Sequence, residues 1–131
     1  FMVPQYKKVT SILFDHGVDI NYLDSDGDIT ALVPFWLDAG INCMFPLEIR
    51  GGTDPYRLRE EFGEKVLLMG GVDKVALAKA PKAIDAEIHK VNSLVEKGGF
   101  VPHVDHRVPA DVSYKNYIYY LHKKREVIIA G

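Results

Sequence analysis

Gly99-Phe100-Val101-Pro102-His103-Val104-Asp105-His106-Arg107-Val108-Pro109 is the stretch that decides how this chain folds. A short apolar strand, 100–104, empties into His103, Asp105, His106 and Arg107, four ionisable side chains within five residues. Such groups are costly to bury, so a cluster of this kind marks a strand end that meets solvent or a ligand. The same grammar recurs upstream. Strand 18–23 gives out into Asp24-Ser25-Asp26-Gly27-Asp28, strand 41–45 into Pro46-Leu47-Glu48, and strand 66–69 into Gly70-Gly71-Val72-Asp73.

Helices are expected between these strands. Val9, Ile12 and Leu13 fall at helical spacing over 4–16, and helices are expected at about 29–39, 55–62, 74–79 and 81–97, with a closing one at 114–128. Asp54 is placed to cap the third, with Pro55 in its first turn, and Asp111 or Ser113 the last. Gly17, Gly40, Gly63 and Gly98 punctuate four repeats of helix, glycine, strand and polar loop. Strands alternating with helices argue for parallel βα units joined by right-handed crossovers. Cys43-Met44-Phe45 and Val66-Leu67-Leu68-Met69 are continuous apolar runs, as strands of a covered parallel sheet should be. The pattern fits the (β/α)₈ barrel type, here as about four units forming a half barrel. An open doubly wound sheet is the alternative, but the loops lack a glycine-rich dinucleotide fingerprint.

Composition sets the outer bounds. The 131 residues suit one domain, 1–131, and 47% hydrophobic with 26% charged residues is ordinary for a globular chain. A net charge of −2 with dispersed basic residues points to neither nucleic acid nor a membrane surface. Cys43 alone allows no internal disulfide and no thiolate-rich zinc site, so a reducing cytoplasm is expected. The opening Phe1-Met2-Val3-Pro4 reads as a cut, so this is expected to be a fragment of a longer chain.

In a parallel α/β barrel all strand C-termini share one face, and the polar loops would converge there. Asp24 and Asp26 are two apart, as are His103 and Asp105, so each pair would point one way on an extended segment. With Glu48 they could supply five oxygen and nitrogen ligands to a divalent ion such as zinc, manganese or iron. Alternatively, clustered carboxylates raise one another's pKa and serve acid–base chemistry. Asp28 reads equally well as a turn or cap residue, and Asp73 reads as a helix cap. Leu32, Phe35 and Trp36 are expected in the core, and Tyr114, Tyr117, Tyr119 and Tyr120 on a packing face. Cys43 is expected to be an inert packed thiol, and His16, His89 and His122 to be solvated.

Four motifs together carry a family resemblance. Leu23-Asp24-Ser25-Asp26-Gly27-Asp28, Phe45-Pro46-Leu47-Glu48, Leu68-Met69-Gly70-Gly71-Val72-Asp73-Lys74 and Gly99 through Val112 resemble, in this order, the C-terminal half of the uroporphyrinogen decarboxylase family, which includes cobamide-dependent methyltransferases. The resemblance spans nearly the whole chain and is most specific from Gly98 to Asp111. It implies the last four strands of a barrel acting on a tetrapyrrole or other acidic small molecule. The metal-binding methyltransferases carry a His-x-Cys pair where this chain has Asp24-Ser25-Asp26, and a Cys where it has Asp105. That reading implies a metal at Asp24, Asp26 and Asp105, to which the spacing of the polar loops adds Glu48 and His103, and a corrinoid carried by a partner protein. The decarboxylases place a substrate-contacting His near Asp105, with His106 as its stand-in, so Asp105 and His106 are the catalytic candidates. A further alternative is an inactive truncated half barrel: its raw strand edges would self-associate, so a homo-oligomer is expected.

Overall fold

The computed structural model describes residues 1–130. In chain order the elements are α1 (Met2–Asp15), β1 (Tyr22–Asp24), α2 (Val33–Asp38), β2 (Cys43–Phe45), α3 (Pro55–Phe62), β3 (Leu67–Val72), α4 (Lys74–Leu77), α5 (Pro81–Glu96), β4 (Phe100–Val104) and α6 (Tyr114–Ala130). Single 3₁₀ turns cover Ile49–Gly51 and Gly63–Lys65. The four strands form one parallel sheet in the order β1-β2-β3-β4. Strand order follows chain order without the reversal that a doubly wound sheet requires, so right-handed crossovers carry the connecting helices to one face.

That face is the core. Met44, Leu68 and Phe100 stand side by side in register and are at most 8% exposed. Leu58, Ile84, Ile88, Val91, Leu94 and Tyr120 from the helices close over them. Burial of each large aliphatic chain stabilises by about 1.5–3 kcal/mol, so this contact layer outweighs any single polar interaction. The opposite face, read from the alternate residues, is open: Tyr22 and Val101 are 60% and 55% exposed, and Phe45, Leu67 and Met69 are half-buried.

Several expectations change in detail. β1 begins at Tyr22 rather than residue 18, because Asn42 takes over the ladder's work there. Its side chain accepts from Asn21 N at 2.9 Å and donates to Asp19 O at 2.8 Å. α2 starts at Val33 rather than 29, with Leu32 N and Val33 N both bonded to Ile29 O in a turn that precedes Pro34. The helix is therefore short, and only Trp36 of the expected trio is buried, while Leu32 and Phe35 are exposed. β3 runs on through Gly70 and Gly71 to Val72. Gly70 has φ +128°, and a Cβ there would overlap the Pro46 carbonyl, so the close approach of β2 and β3 requires glycine. Tyr120 is buried and Tyr117 and Tyr119 are half-buried, but Tyr114 is exposed.

The caps fall where the sequence puts them. Asp54 accepts from Tyr56 N and Arg57 N, Asp73 from Val75 N, and Ser113 Oγ from Asn116 N. Cys43 is buried, whereas His16, His89 and His122 are exposed. Among the described residues no helix is long and apolar enough to cross a membrane.

Candidate functional site

The loops that follow the four strands are bound to one another by a small set of side chains. Glu48, just past β2, accepts from Gly27 N in the β1 loop at 3.0 Å and from Lys74 Nζ at 2.8 Å. Thr53 reinforces the first of these ties, donating its hydroxyl to Gly27 O at 2.8 Å and accepting from Ile29 N at 3.2 Å. Arg50 reaches Asp73, the cap of α4, through Nε at 3.0 Å and Nη2 at 2.8 Å. Asp105 is fully buried and completes the set. Its two carboxylate oxygens accept from Ile49 N at 3.0 Å and Lys74 N at 2.9 Å. One carboxylate from the β4 loop thus holds the backbones of the two preceding loops.

Electrostatics follow from these contacts. The Lys74 ammonium, then the Gly27 N–H, hold Glu48 below the usual carboxylate value, and Glu48 in turn raises Lys74. Burial works to raise Asp73, but the Arg50 hydrogen bonds and the Val75 N–H outweigh it and the net shift is downward. Asp105 goes the other way: desolvation raises it more than its two amide donors and Lys74 lower it.

Above this bound floor lies a groove of about 410 Å³ lined by Asp24, Asp26, Phe45, Pro46, His103, His106 and Arg107. Asp24 comes from the end of β1 and Asp26 from the loop beyond it, on the same side, as their spacing implied. His103 projects from the exposed face of β4, its ring edge-on to Phe45 at 5.6 Å between centroids. Its Nδ1 lies 2.7 Å from Val104 O, a contact that requires a proton on Nδ1 and leaves Nε2 with a free lone pair when the ring is neutral. His106 Nε2 stands 3.5 Å from Asp26 Oδ1, within ion-pair range once the ring is protonated. The groove therefore has an acceptor wall, Asp24 and Asp26, facing a wall that carries His103, His106 and Arg107.

The seven groove residues include three of the five expected metal ligands, Asp24, Asp26 and His103. Glu48 and Asp105 are elsewhere, spending their oxygens on the loop ties. Among the described residues no group of three or more His, Cys, Asp or Glu is placed to hold an ion. The donors present do not fit the expected five-ligand metal centre. Of the two catalytic candidates His106 lines the groove, while Asp105 lies under it with both oxygens engaged.

Arg107 belongs to the site though it was not among the candidates, and its place beside His106 in the terminal cluster was the available signal. The role of Lys74 could not have been seen, because it depends on a contact with Glu48 across 26 residues of chain. No family model, curated protein or solved structure matches the chain.

Proposed function

We propose that this chain is the C-terminal half of a uroporphyrinogen decarboxylase-type barrel, and that the groove at its strand C-termini binds an acidic nitrogen heterocycle, a tetrapyrrole or one of its pyrrole units. The observation that carries the reading is the two-walled groove. Carboxylates of the ligand would lie against Arg107 and His106 Nε2, and its pyrrole N–H groups would donate to Asp24 and Asp26. Phe45 and Pro46 offer an apolar surface to the ring between them. Placement at the C-terminal ends of parallel strands is where α/β barrels carry their chemistry.

Within this reading His103 Nε2, the ring nitrogen left free by the Nδ1 contact with Val104 O, is the atom placed to take a proton from solvent and pass it to the ring carbon as CO₂ leaves. Buried Asp105 keeps the loops, and so the walls, at fixed separation. No corrinoid-linked methyl transfer is proposed, because two of the five donors expected to hold its metal, Glu48 and Asp105, are committed to the loop ties.

Titration calorimetry with uroporphyrin, an octacarboxylate tetrapyrrole, and with its neutral ester tests the reading. The acid should bind and the ester should not. Arg107→Ala should weaken binding roughly tenfold or more, the equivalent of one charge-assisted hydrogen bond of about 1.5–3 kcal/mol. Equal affinity for acid and ester, or an Arg107→Ala variant that binds as well as the parent chain, would rule it out.

A further inference from the structure

The helix side of the sheet carries a second pocket, of about 270 Å³, between α3 and α5 near the C-terminal end of β3. Its walls come from the loop after β2, from β3 and from the two helices that flank β3 in the chain, so none of it borders β1 or β4. Glu87 is the residue there that packing does not explain. α5 turns Ile84, Ile88, Val91 and Leu94 into the core, and Glu87 lies on the same stripe, 9% exposed. A carboxylate so placed is costly unless both its oxygens are met. Oε1 is paired with the Lys90 ammonium, which reaches it from a side chain that is largely in solvent. Among the described residues Oε2 accepts only from Asp73 N, at 3.4 Å, although a carboxylate can take about four hydrogen bonds. Glu87 Oε2 thus borders the pocket with acceptor capacity to spare. Tyr56 donates its hydroxyl to Lys90 O and so ties α3 to α5 across the pocket.

We propose that this pocket binds a free α-amino acid with an aliphatic side chain. The ammonium of the ligand would meet Glu87 Oε2, its carboxylate the Lys90 ammonium, and its side chain the apolar surface of Ile49, Pro55 and Val91. Opposed charges, one buried and one at the mouth, select a zwitterion over an amine or an acid alone. Glu87 and the exposed Asp54 together disfavour polyanions, so this ligand differs in kind from the one assigned to the groove. The inference does not rest on that assignment.

Titration with L-leucine, followed by calorimetry and by backbone amide shifts, tests it. Leucine should bind with a Kd of about 1 mM or below and shift Ile49, Tyr56, Gly71 and Val91 most. Isocaproate, which lacks the ammonium, and isoamylamine, which lacks the carboxylate, should each bind roughly tenfold or more weakly. Glu87→Gln, which keeps the shape and loses the charge, should abolish leucine binding with an unchanged circular dichroism spectrum. Lys90→Ala should weaken it roughly tenfold, and His89→Ala, on the exposed side of α5, should leave it unchanged. No binding up to about 10 mM leucine, equal affinity for leucine and either analogue, or shifts centred elsewhere overturns the proposal. So does a folded Glu87→Gln variant that binds as the parent does; should that variant fail to fold, parental affinity in Lys90→Ala overturns it instead.

Discussion

Asp105→Ala should cost the fold more than any groove substitution. The change strands two backbone donors, Ile49 N and Lys74 N, now held at 3.0 and 2.9 Å by a carboxylate with no solvent exposure. An unsatisfied buried amide costs about 1–3 kcal/mol, and these two are only partly shielded, so about 1–2 kcal/mol each is the appropriate share. The total is about 2–4 kcal/mol, a large part of the roughly 5–15 kcal/mol that holds a domain folded. Asp105→Asn keeps one acceptor and turns an NH₂ toward the other donor, so about half of that loss is expected.

Urea unfolding followed through Trp36, which is 7% exposed, measures both variants. The pH dependence adds an independent check. Because burial raises the folded value of Asp105, the folded chain holds this proton at pH values where the unfolded chain has released it. Its contribution to stability is therefore greatest below the ordinary value of 3.8 and is lost as pH rises through the raised value. The deficit of Asp105→Asn relative to the parent should narrow over that rise. An alanine variant that loses under about 0.5 kcal/mol, or an asparagine variant equal to it, would refute the role assigned to this carboxylate.

Glu48→Gln should destabilise the chain at neutral pH and have less effect in acid. The folded value of Glu48 is depressed, so its stabilisation is whole above 4.5 and drains as pH falls through the lowered value; parallel acid titrations of parent and variant would show the gap closing. Gly70→Ala should prevent normal folding, since the new methyl would overlap the Pro46 carbonyl at a backbone φ of +128°, and soluble yield with circular dichroism reports it. Arg59→Lys should lower the urea midpoint despite keeping its charge. The Arg59 guanidinium donates to Gly63 O, Gly98 O and Gly99 O at 2.7–3.1 Å, and an ammonium cannot span all three.

The repeats were legible because they rest on local rules. Gly17, Gly40 and Gly98 end their helices at φ between +74° and +81°, and the apolar runs between polar loops mark the strands. Asp24 and Asp26 were read correctly as a pair because alternation in extended chain is a local property too. Asp105 was not. Its spacing from His103 suggested a shared face, yet His103 stays on the exposed side of β4 while Asp105, one residue past the strand, turns into the loop layer and binds amides 31 and 56 residues away. A buried carboxylate used as a scaffold and one used as a ligand have the same local sequence. Only the long-range donors separate them. The late start of β1 at Tyr22 was hidden for a similar reason, since it depends on the Asn42 side chain reaching back to Asp19 and Asn21.

Backbone amide chemical-shift mapping during titration with uroporphyrin probes the central claim, that the polar strand ends form one binding groove. The largest shifts should fall on residues 24–26, 45 and 103–107, with Ile49 and Lys74 responding weakly beneath them. Shifts centred instead behind the sheet, around Tyr56 and Lys90, or scattered without a cluster, would contradict it.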